Sequence, residues 1–135
     1  MNLDSKIFRA YDIRGIYPSE INEKIVKNII SAFFTNQLKT INLKTVVIGR
    51  DARLSSPNLY RATISALKIK NLKLKIIPVG MCTTPMLSFL VNENKADFGI
   101  MVTASHNPKK YNGLKFFDKK GIPISGTEIH KIISS

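Results

Sequence analysis

Ser105, His106 and Asn107 stand together in the run Thr103 to Pro108, directly after the apolar stretch Phe98 to Val102. A serine hydroxyl is a poor nucleophile until a neighbour removes its proton or holds its phosphorylated form, and an imidazole and an amide beside it suit that work. The same residue types also build a capped turn for purely local reasons. Lys115 follows shortly in Asn112-Gly-Leu-Lys115, and Tyr11, Asp12 and Arg14 lie in the segment Phe8 to Gly15. Asp51 and Arg53 close a third charged segment, Gly49 to Arg53. Each has a plainer reading. Arg14 would serve as a surface partner of Asp12, Lys115 as a solvated lysine, and Tyr11 as filler at a core edge. Asp51 and Arg53 read best as a structural ion pair.

The elements that must carry these residues alternate between apolar and amphipathic, the pattern of an α/β domain. Thr45 to Gly49 is a β-branched run read as a buried strand, followed by strands at Leu74 to Val79, Phe98 to Val102 and Leu114 to Phe117. From Glu20 to Lys39, Ile21, Ile25, Ile29 and Phe33 recur at helical spacing. Ser56-Pro57 and Thr84-Pro85 pair a capping side chain with a proline that needs no amide hydrogen, opening two more helices. Leu59, Ala62, Ala66 and Ile69 line one face of the first, and Leu87, Leu90 and Val91 one side of the second. Ser125 and Glu128 form a capping-box pattern ahead of Ile129, Ile132 and Ile133. Loops over residues 49–56, 80–84 and 103–113 follow strands. Ligands of open α/β sheets gather at the carboxyl ends of strands, so the third loop is the place to look.

Length and composition bound the rest. The 135 residues fit one domain with a real core, and 44% hydrophobic content is ordinary for a globular protein. No apolar run approaches the ~20 residues needed to cross a bilayer, and Met1 to Arg14 lacks the apolar centre of a signal peptide. No membrane association is expected. The single cysteine, Cys82, forms no internal disulfide and fits a reducing compartment, so the expected location is the cytoplasm. The net charge of +12 is spread from Lys6 to Lys131 without a dense basic block or interleaved aromatic residues. Nucleic-acid binding is therefore not expected. The lysine excess over arginine, with abundant isoleucine and asparagine, reads as coding bias, and attraction of phosphorylated sugars is compatible with it.

Taken together, TASHNP (Thr103 to Pro108) followed by NGLK (Asn112 to Lys115) resembles the active-site serine loop of the α-D-phosphohexomutase superfamily. FRAYDIRG (Phe8 to Gly15) resembles the N-terminal motif of its phosphomannomutase/phosphoglucomutase branch, and GRDAR (Gly49 to Arg53) a third family segment. The phosphoglucosamine mutases resemble one another in an F-G-T-D-G-I-R-G pattern that this chain lacks, which favours the mannose/glucose branch. The resemblance implies the N-terminal, serine-bearing domain over residues 1–135: a three-layer α/β domain with a mixed, mostly parallel sheet and helices on both faces. It implies that Ser105 carries a phosphoryl group exchanged between the 1- and 6-positions of mannose or glucose phosphates through a bisphosphate. Arg14 and Lys115 would supply positive charge, Lys115 also handling the sugar hydroxyl proton. Tyr11, His106 and Asn107 would shape the pocket or contact the serine phosphate.

Mg²⁺ is the cofactor the resemblance implies. In the family a later D-x-D-x-D loop holds it, and no pair of carboxylates here has the spacing of a metal site, so Ser105 would contribute only through its phosphate. Further family loops that select the sugar and grip its distal phosphate are also absent from these residues. The isolated chain is accordingly expected to be inactive alone, with the missing mutase domains as partners. Apolar surface that later domains would cover is expected to face water. The alternative is a catalytically inactive remnant or binding module of the same fold.

Overall fold

The structure, a computed structural model, describes residues 3–69 and 73–135, with the Ile69 side chain outside that set. Its five longer strands are β1 (Ile13–Ile16), β2 (Thr45–Arg50), β3 (Lys75–Met81), β4 (Phe98–Val102) and β5 (Tyr111–Phe117), and a short β6 (Pro123–Ile124) completes the sheet. The helices are α1 (Glu23–Gln37), α2 (Ser56–Ile69), α3 (Thr84–Glu93) and α4 (Gly126–Ser134). The strand order is β1-β5-β4-β2-β3, with β6 paired to β5. β3, β2 and β4 form a parallel core, while β5, β1 and β6 extend it antiparallel. Among the described residues no helix is long and apolar enough to cross a membrane.

Burial explains the order. β4 lies mid-sheet and all five of its residues are buried, as a strand covered on both faces requires. Edge strand β3 has only exposed and partly buried residues and carries Pro78, which an edge tolerates because no ladder donor is needed there. Opposite Pro78 the β2–β3 register shifts between Ile48 and Gly49, a one-residue bulge.

Two unequal cores flank the sheet. The larger packs Val26, Ile29, Ile30, Phe33 and Phe34 of α1, Leu59, Ala62 and Ala66 of α2 and Ile129 of α4 onto Ile48, Ile100, Leu114 and Phe116. The smaller sets Leu87 and Val91 of α3 against Val47, Met101 and Phe117. Helices on both faces of a mixed sheet make the three layers expected. Several large apolar side chains on or beside α3 do face water, namely Met81, Met86, Phe89 and Ile122.

Local signals resolve with small corrections. Helix α1 begins at Glu23 and not near Glu20, because the Glu20 carboxylate turns back to accept from the Ile16 N–H at 2.8 Å. Asn22 caps α1 instead, accepting from the Ile25 N–H at 3.0 Å. Of the stripe predicted, Ile21, Ile29 and Phe33 are fully buried and Ile25 only partly, while Val26, Ile30 and Phe34 widen the buried face. Ser56 does begin α2, but its hydroxyl bonds Asp51 and Asn112 rather than the helix amides. Thr83, not Thr84, caps α3, accepting from the Met86 N–H at 3.2 Å with extended backbone. Thr83→Ala is expected to lower stability by about 1 kcal/mol in urea unfolding, whereas Thr84→Ala should change it far less. Ser125 caps α4 as predicted, accepting from the Glu128 N–H at 3.0 Å.

Candidate active site

Ser105 is exposed in the loop that leaves the carboxyl end of β4. Its φ of +55° lies in the left-handed region, which serine enters only with outside support. Its N–H donates to the Thr103 hydroxyl at 3.0 Å. The Asn107 N–H and side-chain amide both donate to the Ala104 carbonyl, at 3.1 and 2.9 Å, closing the turn. His106 is exposed beside them. The local turn anticipated from residue types is therefore present, and it sits on top of the central strand.

Arg14 and Lys115 arrive on neighbouring strands. β1 pairs with β5 so that Arg14 faces Gly113, and β4 pairs with β5 so that Met101 faces Lys115. Cross-strand partners and alternate residues share a face, so Arg14, Lys115 and Met101 lie on one side of the sheet. That side is the α3 side, because Met101 packs with Leu87 and Val91. The Thr103 N–H donates to the Gly113 carbonyl at 3.0 Å, continuing the same register and setting Arg14, Gly113 and Thr103 abreast. Both cations thus share a sheet face with the residue that holds the Ser105 amide. Neither bonds Ser105 directly among the described residues.

Asp12 joins the two cations. It is 3% exposed, and Arg14 Nε lies 3.2 Å from its Oδ1 without the alignment of a hydrogen bond. Burial pushes the Asp12 carboxyl above its usual range, while Arg14, Lys115 and Arg9 pull it back down. Arg14 is therefore paired with Asp12, as the plainer reading had it, but in a buried setting that Lys115 also feels. Tyr11, 74% exposed, tips the Arg9–Asp12 turn, which the Arg9 N–H closes on the Asp12 carbonyl at 2.8 Å. The start of α4 supports that turn: a side chain at Gly126 would come within 2.6 Å of Arg9 and Asp12 backbone atoms.

Sequence reading undervalued Arg53. Its ion pair with Asp51 exists, with Nε 3.2 Å from Oδ2, but the guanidinium also bonds the carbonyls of Ser105, Asn107, Pro108 and Tyr111. Its place in the Gly49–Arg53 segment was the available signal, and nothing in that segment told what it would reach. Beside it a groove of about 600 Å³ is lined by Asp51, Ala52, Arg53, Leu54, Ser105, Asn107 and Lys109. The groove joins the loops after β2 and β4, while Arg14, Lys115, Tyr11 and His106 lie outside its walls. Among the described residues no group of three His, Cys, Asp or Glu side chains is placed to hold a metal.

The phosphoglucomutase/phosphomannomutase α/β/α domain I family model matches residues 5–135. A Xanthomonas campestris pv. campestris protein named for phosphohexose mutases is 40% identical over 118 residues, covering 87% of this chain and 25% of that protein. A phosphoglucosamine mutase of Clostridium acetobutylicum is 33% identical over 133 residues, covering 96% of this chain and 29% of its own length. The crystal structure of a phosphoglucomutase/phosphomannomutase family protein from Burkholderia thailandensis superposes with a TM-score of 0.84 at 31% identity, covering 98% of this chain and 30% of that one. The chain thus spans between a quarter and a third of the length of these relatives. With the family model matched over residues 5–135 and the mixed three-layer sheet shared with a solved family member, the chain belongs to the phosphoglucomutase/phosphomannomutase family as an α/β/α domain I.

Proposed function

We propose that this domain carries the transferable phosphoryl group of a hexose phosphate mutase, on Ser105. The observation that carries the reading is the exposed Ser105 hydroxyl at the carboxyl end of β4, with Arg14 and Lys115 on the sheet face of its anchor Thr103. Phosphoryl transfer asks a protein mainly for positioning and for positive charge around the moving group. In the forward step the bond from phosphorus to the Ser105 oxygen breaks as one forms to a free hydroxyl of a hexose monophosphate. The hydroxyl proton passes to Lys115, which enters this step as the neutral amine and leaves it as the ammonium, and which gives the proton back to the sugar oxygen that loses its phosphoryl group in the return step. The resulting bisphosphate turns over and returns its other phosphoryl to Ser105, restoring the phosphoserine. Arg14 stabilises the doubly charged phosphoserine, and Tyr11, His106 and Asn107 shape the surrounding pocket.

Mannose and glucose phosphates are the proposed substrates, on the strength of the Phe8–Gly15 motif. The residues present do not supply a carboxylate set for Mg²⁺, so no step is assigned to it here; the Ser105 phosphate would be this chain's contribution to such a site. Turnover then depends on residues corresponding to the remaining length of the relatives.

The test is phosphoryl labelling. Incubation of the chain with a hexose 1,6-bisphosphate should add one phosphoryl group to Ser105, slowly, as located by mass spectrometry. Ser105→Ala should stay unlabelled, and Lys115→Ala should label roughly 100-fold more slowly. An unlabelled wild-type chain, or a label that survives Ser105→Ala, would overturn the proposal.

A further inference from the structure

We propose that Arg53 is the positioning residue of the Ser105 loop, acting through the backbone and not on the phosphoryl group itself. This rests on the reading of Ser105 as the phosphoryl carrier. An arginine side chain has five N–H donors, and here all five are committed. Nε donates to Asp51 Oδ2 at 3.2 Å, Nη2 to the carbonyls of Ser105 and Asn107 at 2.8 Å each, and Nη1 to those of Pro108 and Tyr111 at 2.8 and 3.2 Å. The side chain is 14% exposed. No donor is left for a phosphate, so the residue cannot serve as a phosphate clamp without releasing the loop.

The need for it follows from the loop's shape. Residues 105–111 turn four carbonyls toward one point, and inward-facing carbonyls require donors. Ser105 adds a left-handed φ, a conformation that costs free energy in a residue with a side chain. A planar, delocalised cation with a rigid fork meets four converging oxygens, whereas a lysine ammonium offers one nitrogen.

Asp51 orients the fork from behind. Its Oδ1 accepts from the Arg53 N–H at 3.1 Å and from the Ser56 hydroxyl. Ser56 Oγ in turn accepts from Asn112 Nδ2 at 3.0 Å, and Asn112 Oδ1 accepts from the Gly113 N–H at 2.8 Å. The network ties the loop after β2 and the first residue of α2 to β5, where the serine loop ends. The hydroxyl is thereby offered from one fixed place.

Arg53→Lys tests this, because it keeps the charge and loses the fork. Hydrogen exchange should quicken at least tenfold at the amides of Ser105, Asn107 and Tyr111, each bonded within the loop, while β4 amides exchange near the wild-type rate and the unfolding midpoint falls only modestly. Labelling of Ser105 by hexose 1,6-bisphosphate should slow at least tenfold. A purely structural role would instead quicken exchange throughout, β4 included, and leave the labelling rate of the folded fraction unchanged. Should Arg53→Lys fail to fold, Asp51→Asn should give a smaller increase at the same three amides. Unchanged loop exchange in the folded variant, or a loosened loop that labels at the wild-type rate, overturns the proposal. If the wild-type chain takes no label, the phosphoryl-carrier reading fails and with it the role in presenting the hydroxyl, while the exchange data still decide whether Arg53 clamps the loop.

Discussion

Replacing Phe33 with alanine is expected to lower stability by about 3–5 kcal/mol, a large share of the roughly 5–15 kcal/mol that holds a typical domain. Phe33 is fully buried on α1. Its ring meets Phe34, Phe98 and Phe116 edge-on, with centroids 5.0, 5.2 and 4.8 Å away. Through these contacts one side chain joins α1 to β4, which leads into the serine loop, and to β5, which carries Lys115. Truncation removes the ring's transfer free energy and leaves a cavity that three rings and two strands cannot collapse to fill. Urea unfolding should show the midpoint falling by at least about 1 M. Phe89, on the outer side of α3 and 58% exposed, is the control; its alanine variant should stay within about 0.5 kcal/mol of wild type. A Phe33→Ala loss no larger than that control would mean the aromatic cluster is not the centre of the core.

Gly113→Ala is the second large effect, and it reaches the site. A Cβ at Gly113 would stand 1.9 Å from the Ile13 carbonyl oxygen and 2.9 Å from Arg14 Cα. Those are backbone atoms of a paired strand, so no rotamer relieves the clash and β1 must part from β5. Overpacking usually costs about 1–3 kcal/mol, and this site belongs at or beyond the upper end because the whole four-residue strand has to move. Arg14 and the Asp12 carboxylate move with it. The folded fraction should therefore label Ser105 more slowly than wild type as well as unfold earlier. Gly80→Ala separates crowding from backbone strain, since Gly80 has a φ of +71° but nothing within 4 Å of its Cβ position. Equal losses at the two glycines would remove the argument that close approach of β1 dictates glycine at position 113.

What could be read along the chain was whatever neighbouring residues settle among themselves. Strands β2 and β4 were legible because each is a short, continuous apolar run, and buried strands need nothing more to announce them. The Ser125 cap was legible because capping joins residues three apart. Thr83 was missed by one position because Thr83 and Thr84 are the same residue type, and only backbone dihedrals distinguish the cap from the first helical residue. β1 was not legible as a strand at all. Its four residues, Ile-Arg-Gly-Ile, are too few for a pattern, and it becomes a strand by pairing with β5, nearly a hundred residues later.

The site divides along the same line. The serine loop and its place after an apolar strand followed from Phe98 to Pro108 alone, and the family resemblance from three short motifs. That Arg14 and Lys115 share one face with Thr103, and that Asp12 is buried beside Arg14, was decided by the sheet order β1-β5-β4 and its register. The reach of Arg53 was decided in the same way, because β2 lies beside β4 and their carboxyl-end loops meet. Side-chain chemistry is written residue by residue, whereas strand order is set by which apolar faces bury best against α1, α2 and α3 across the whole chain. A guanidinium at position 53 has no local reason to meet the carbonyls of residues 105 to 111; packing of the parallel core brings them together.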